Sequence, residues 1–277
     1  MVVYQRIAPP EDLAGLVEHL WMVEGGAHPE PHDEILIPNG RPGLAVALGV
    51  PGTRHDPITQ TAWPNEAALF GIMTRPHVLT QTGASSYAGA ELTPWAMQAL
   101  GRLLVDDVLP LNEWVGAEAT AALAADLREE PFGTARAGVL VEFLRDRVVD
   151  VPESTLVERA VRFIDENQGR VTVTETAAAT GASYSTLYRV FMRTVGIGPK
   201  QYAEIQRYYH FVGGLLGGPA DAAATVAALH GYYDQAHAAR DFKRYTGVSA
   251  TSFRAVQNGI AALMHGRSVQ DSRAPDA

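Results

Sequence analysis

The chain has 277 residues, is 47% hydrophobic and 19% charged, and carries a formal net charge of −9. This is a globular composition with enough length for two domains, and the absence of cysteine excludes disulfides, zinc fingers and any alkyl-accepting or redox-sensing role through sulfur. No charged-then-apolar leader opens the sequence and no apolar run approaches the ~18 residues of a membrane span, so a soluble, cytoplasmic protein without membrane contact is expected.

In the N-terminal half, short apolar runs alternate with turn residues. They are His19-Leu-Trp-Met-Val23, Ile35-Leu-Ile37 ahead of Pro38-Asn-Gly40, Gly43-Leu-Ala-Val-Ala-Leu48, Ala67-Ala-Leu-Phe70, His77-Val-Leu-Thr80 and Tyr87-Ala-Gly-Ala-Glu-Leu92. Their length and spacing predict a small antiparallel β-barrel or sandwich. Trp21, Trp63 and Trp95 are candidates to line an effector pocket, although core packing is the commoner use of tryptophan. His28 and His32 sit in a Pro-rich stretch, which reads as a solvated loop rather than a metal pair on one helical face. His32, Asp33 and Glu34 lack a positioned nucleophile or a glycine-rich phosphate loop, so no catalytic residue, metal or cofactor is expected. Pro94 opens a short helical stretch over 95–104. Two amphipathic helices follow at about 116–129 and 134–148, broken at Pro131-Phe-Gly133. Their apolar stripe of Leu123, Leu127, Val139, Leu140, Phe143 and Leu144 either packs on the chain's own barrel or forms the two-fold interface of a homodimer.

Val149-Asp-Val-Pro152-Glu-Ser154 reads as a linker, and beyond it one phrase occurs twice. The first copy is Ala177-x3-Gly181, Leu187-x-Arg189-x-Phe191, Gly196-Ile197 and Tyr202; the second is Ala227-x3-Gly231, Ala238-x-Arg240-x-Phe242, Gly247-Val248 and Phe253, offset by 50 and then 51 residues. A small residue lets two helices pack closely, Gly turns the chain, and Ser183 or Asp234 stands where the next helix needs an N-cap. This is one helix-turn-helix unit used twice. Helical periodicity puts Leu187, Phe191 and Thr194 inward and Ser185, Tyr188, Arg189 and Met192 outward, with Arg193 beside them. In the second copy Ala238 and Phe242 face inward, and Ala236, Ala239, Arg240 and Lys243 outward. An arginine opposite the buried stripe of a second helix is where this motif reads base edges.

From about 157 to 254 the chain resembles the DNA-binding domain of the AraC family of transcription regulators. The likeness lies in Gly181-Ala-Ser183, Leu187-Tyr-Arg189-Val-Phe191, Gly196-Ile-Gly-Pro199-Lys-Gln-Tyr202, Gly231-Tyr-Tyr-Asp234-Gln235-Ala-His237 and Arg240-Asp-Phe242-Lys-Arg-Tyr-Thr-Gly247-Val248. The resemblance implies two helix-turn-helix units joined by a long helix over 199–216, reading successive major-groove segments of double-stranded DNA. Ser185, Tyr188, Arg189 and Arg193 would be contacts of the first unit, and Gln235, Ala236, His237, Ala239, Arg240 and Lys243 those of the second. It also implies a small-molecule effector and RNA polymerase as further partners. Three departures stand out: Gly213 and Gly214 inside the joining helix, Ala238 at the core position matching Leu187, and Ala250 where the family usually has proline. They predict a second unit less well packed than the first. In the N-terminal half, Glu18-His-Leu-Trp21, Ile37-Pro-Asn-Gly40 and Gly71-x2-Thr74-x-Pro76 resemble an uncharacterised domain often found ahead of this pair.

Charge is split unevenly. Residues 1–153 hold 9 Arg and no Lys against 21 acids, a balance of −12; residues 154–277 hold 11 Arg and 2 Lys against 10 acids, a balance of +3. Phosphate attraction needs local positive potential, which only the second part offers. The expected architecture is α+β in two domains: 1–150, a cupin-like β-barrel or sandwich with helices for effector binding and dimerisation, and 151–256, an all-α DNA-binding domain. Residues 257–277 form a tail, disordered at its end. The competing class is a small-molecule-binding or protein-interaction module whose helix-turn-helix pair no longer binds DNA.

Overall fold

The computed structural model describes residues 2–149, 156–217, 235–248 and 253. The linker beyond Val149, the first helix of the second unit with Ala227, Gly231 and Asp234, Ala250 and the tail lie outside the described residues. The N-terminal domain is an antiparallel sheet, and the C-terminal domain is helical.

Eight strands build the sheet: β1 (Val3–Ile7), β2 (Val17–Leu36), β3 (Gly43–Ala47), β4 (Gly52–His55), β5 (Ala62–Asn65), β6 (Ala67–Phe70), β7 (His77–Leu92) and β8 (Val108–Pro110). The order is β1-β2-β7-β3-β6-β8, with β4 bridging β7 and β5. The ladder has two ends, β1 and β8, rather than the closure of a full barrel. Strands β2 and β7 pair along most of their length; β2 also carries β1 along Leu20–Glu24, and β7 serves different neighbours at each end. β7 pairs with β4 through Val78–Thr80 and with β3 through Tyr87–Glu91.

The sequence pattern splits both long strands into separate runs because their middles are irregular. Register slips between Glu24 and Ala27 and again between His28 and His32. The Pro-rich stretch expected as a solvated loop is therefore part of β2. Proline lacks the N–H that a ladder needs and is tolerated in strands at such bulges. Backbone pairing of β2 with β7, which local composition does not register, holds it extended.

Alternation along the strands sorts apolar side chains onto two faces. One, with Leu20, Met22, Leu44, Val46 and Leu69, is continuous with the helical core. The other carries Trp21, Val23, Ala45, Ala47, Phe70 and Tyr87. Helices α1 (Ala96–Ala99), α2 (Leu111–Val115), α3 (Ala117–Glu129) and α4 (Thr134–Arg145) complete the domain. The helix expected over 95–104 stops at four residues, and Gly101 takes a positive φ of 67° just beyond it. Leu123, Leu127, Leu140, Phe143 and Leu144 are buried within the chain, and Val139 packs partly buried against the same core. Their own domain covers this stripe, so a second copy would have to meet the outer faces of α3 and α4.

The C-terminal domain follows as α5 (Leu156–Glu166), α6 (Val173–Thr180), α7 (Tyr184–Thr194), α8 (Pro199–Gly217) and α9 (Gln235–Thr246). One buried cluster runs from the sheet through Val161 and Ile164 to Leu187, Phe191, Tyr202 and Phe242. No helix among the described residues is long and apolar enough to cross a membrane.

Candidate nucleic-acid interface and effector cavity

The first helix-turn-helix is fixed by local chemistry. Thr172 and Glu175 form a reciprocal capping box at the start of α6. Gly181 closes that helix in the left-handed region at φ 69°, and Ser183 caps α7 by accepting a bond from the Thr186 amide at 3.2 Å. With both ends set, the register of α7 decides its faces. Leu187, Phe191 and Thr194 are buried, whereas Ser185, Tyr188, Arg189, Met192 and Arg193 are exposed. Arg189 and Arg193 have no ion pair among the described residues. Tyr184, one turn before Tyr188, is 58% exposed and lies parallel to it with ring centroids 6.5 Å apart. Sequence reasoning passed over Tyr184; the i, i+4 spacing to Tyr188 was the signal available. The face thus combines two guanidinium groups with a stacked aromatic pair.

The second unit is described through α9. Ala236, Ala239, Arg240 and Lys243 are exposed, and Ala238 and Phe242 are buried. His237 lies 3.9 Å from Asp241, which also faces Arg207 of α8 at 3.5 Å. One predicted reader is thereby drawn toward a carboxylate on its own helix. The gap expected beside Ala238 coincides with a ring cluster in which Phe242 meets Tyr208, Phe211 and Phe253 at centroid distances of 5.4–6.3 Å. Of Gln235 only the backbone, at the start of α9, is described.

The three N-terminal phrases converge on the domain boundary. Arg41 bonds Tyr202 and Glu18 and donates to Asp165 at 2.7 Å, while the Tyr202 hydroxyl donates to Asp165 at 2.9 Å. Burial opposes the charge on Arg41, but Asp165 and Glu18 overcome it and hold the group ionised. Gln206 donates to the Asn39 carbonyl at 2.7 Å, and the Asn39 amide donates to Glu91 at 2.9 Å. Burial, reinforced by repulsion from Glu18, raises Glu91 to about 7. Burial and the Arg6 and Arg41 charges lower neighbouring His19 to about 3, so its ring stays neutral and accepts from Arg6 at 3.1 Å. Gly40 allows the close approach: at φ 75°, a Cβ built there would sit 2.4 Å from Gln206 Nε2. In the third phrase, the Thr74 amide donates to Asp106 at 2.6 Å. It steadies the 103–105 loop, against which the first unit leans: a Cβ on Gly196 would meet Val105 at 2.6 Å.

Beside this clasp lies a cavity of about 160 Å³, lined by the second face of the sheet and closed by Tyr209 and Phe253 from the helical domain. Its lining includes the small residues Gly43 and Ala45 of β3 and Ala90 of β7, while Trp21 lies across Gly89 with no room for a Cβ. Of the three tryptophans weighed for such a site, Trp21 lines the cavity. Trp95 is buried in the core, where its indole N–H donates to the Gly15 carbonyl at 2.9 Å, and Trp63 packs on His77 at 5.5 Å. Arg54 also lines it, its guanidinium 3.7 Å above the Phe70 ring and its Nε buried without a partner. Burial lowers Arg54 to about 9.

Comparison with known proteins places both halves. Residues 176–255 match a family model described as a helix-turn-helix domain, and residues 5–109 one described as a domain of unknown function (DUF6597). The chain is 29% identical over 99 residues to the lactose operon transcription activator of Staphylococcus xylosus, a match spanning 35% of this chain and 35% of that protein's length. It shares its fold with the crystal structure of ToxT from Vibrio cholerae O395, at a TM-score of 0.50 and 9% identity, covering 83% of this chain and 98% of the other.

Proposed function

We propose that the chain, whose residues 176–255 match a helix-turn-helix domain, is a sequence-specific transcription regulator of AraC type controlled by a small molecule bound to its N-terminal domain. The observation that carries this reading is the outer face of α7, where Ser185, Tyr188, Arg189 and Arg193 are exposed directly opposite a buried stripe. Arginine is the side chain suited to the O6 and N7 edge of guanine, and exposed tyrosines add contacts to sugar, phosphate or thymine methyl groups. In α9, Arg240 reads base edges with His237 and Gln235 beside it, Lys243 adds a further contact, and Ala236 and Ala239 offer small apolar contacts. Residues 151–256 bind DNA and residues 1–150 hold the effector.

Control follows from adjacency. Arg41 lines the cavity and also joins Glu18, Asp165 and Tyr202, so a ligand there touches the group that ties the domains together. A ligand shifts an equilibrium only through differential contact with its two states, and Arg41, Tyr209 and Phe253 supply that contact. In this reading the regulator works as a homodimer whose doubled recognition helices offset a weakly basic domain; it is not an enzyme. Selection of the full-length protein against random duplexes tests the function. One sharply defined block with a looser block about 10 base pairs away is expected. Failure to enrich any sequence overturns the reading, and a single monomeric species in sedimentation, with and without the selected duplex, overturns the dimer.

A further inference from the structure

The charges that line the cavity differ in one respect. Glu34 faces His32 at 3.1 Å, Glu91 accepts from Asn39 at 2.9 Å, and Arg41 sits among Glu18, Asp165 and Tyr202. Among the described residues lining it, Arg54 is the charge without a carboxylate counter-ion; its guanidinium lies over the face of Phe70 and its Nε is buried without a hydrogen-bond partner. A cation withdrawn from water without an anion is costly.

Two neighbouring groups are unsatisfied in a way that suits the same guest. The Tyr87 hydroxyl accepts from the Gly52 amide at 3.0 Å and from Gln81 at 2.7 Å, which fills its acceptor positions and leaves its proton to donate. The buried Asn65 side chain lines the cavity with its Oδ1 unpartnered, and an amide end can present either acceptor or donors. Trp21, Phe70 and Leu79 add apolar surface to the same lining. The volume of about 160 Å³ is close to that of an apolar protein cavity, ~150 Å³, that takes up benzene.

We infer that the cavity binds a small monocarboxylate with an apolar body, its carboxylate held by the Arg54 guanidinium and the Tyr87 hydroxyl. One guanidinium fork matches one carboxylate. The inference rests on the proposed effector role of the N-terminal domain and names the chemical class of that effector.

The test is calorimetric titration of the full-length protein with benzoate, its uncharged analogue benzamide, and acetate, which keeps the charge and lacks the ring. Benzoate is expected to bind roughly tenfold or more tightly than either, as loss of a charge-assisted bond or of ring burial requires. Arg54→Gln should bring benzoate down to the level of benzamide. Should Arg54→Gln fail to fold, Ala45→Leu, which fills the cavity, should abolish benzoate binding while the protein still melts cooperatively. Equal affinity for benzoate and benzamide, no benzoate binding at millimolar concentration, a preference that persists in Arg54→Gln, or undiminished affinity in Ala45→Leu overturns the assignment. Measuring the same preparation against its selected duplex separates the two ideas. DNA binding without a benzoate site removes the ligand alone; benzoate binding without DNA binding removes the regulator and leaves the carboxylate site standing.

Discussion

The two helix-turn-helix units are joined to the sheet domain by different means. The unit containing α7 is held chiefly by polar groups, Asp165 and Tyr202 on Arg41 and Gln206 on the Asn39 carbonyl, with Gly196 packed closely on Val105. The unit containing α9 rests on rings, with Phe253 at once part of the Phe242 cluster and part of the wall of the ligand cavity. Directional bonds fix one geometry, whereas an apolar seat over an empty space tolerates several. Both seats border the cavity, the first unit through Arg41 and the second through Phe253, so under the proposed function a ligand would touch a directional clasp on one side and an apolar seat on the other.

The largest effect that would break this comparison comes from Arg41→Met. Removing one partner of a buried ionic group leaves Asp165 and Glu18 facing each other without a cation, a change worth about 3–5 kcal/mol. A fall in the melting temperature is expected, with loss of protection at Tyr202 and Gln206 in hydrogen exchange; an unchanged exchange profile would show that the clasp does not hold the domains. Next in size, Arg189→Ala should cost about 1–3 kcal/mol of specific binding and relax preference at one base pair, with the melting temperature unaltered. The matching change Arg240→Ala in α9 should relax sequence preference less than Arg189→Ala does, because its block is the looser one. Equal loss of sequence preference from both would erase the distinction between the helices.

The smallest effect is on pH dependence. Glu91 is raised to about 7 in the folded protein, above the ordinary carboxylate value. A group raised on folding stabilises fully below its unfolded pKa, and that contribution is lost as pH climbs through the folded value. Between about pH 4.5 and 7 the wild type should therefore lose stability relative to Glu91→Gln. His19, lowered to about 3, works with the opposite sign, losing its contribution as pH falls from about 6.5, so the comparison is made as a difference between the two proteins. A difference in melting temperature that stays constant from pH 5 to 7.5 would contradict the assignment.

The features legible in the sequence were those set by neighbours along the chain. Gly181 in the left-handed region, Ser183 as a cap and the burial of Leu187 and Phe191 follow from spacing within a few turns. The outward face of α7 could be drawn on a helical wheel. The domain clasp could not, since Arg41 reaches Asp165 across 124 residues and Tyr202 across 161, and no periodicity links them. Nor could the cavity, whose lining comes from separate strands whose register only the fold supplies. Strands β2 and β7 were each read as two because their ladders slip in the middle. The phrases Glu18-His-Leu-Trp21 and Ile37-Pro-Asn-Gly40 carried a resemblance without a reason; the reason is that they place Glu18, Asn39 and Arg41 at one boundary.

Gly40 shows how finely that boundary is gauged. Its φ of 75° is a conformation that L side chains rarely adopt, and a built Cβ would stand 2.4 Å from Gln206 Nε2 and 2.9 Å from the Tyr202 ring, so a side chain there would press on both. A substitution at this position would push at the domain boundary without altering a charge, and the seating of the helical domain on the sheet domain is a matter of fit as much as of attraction.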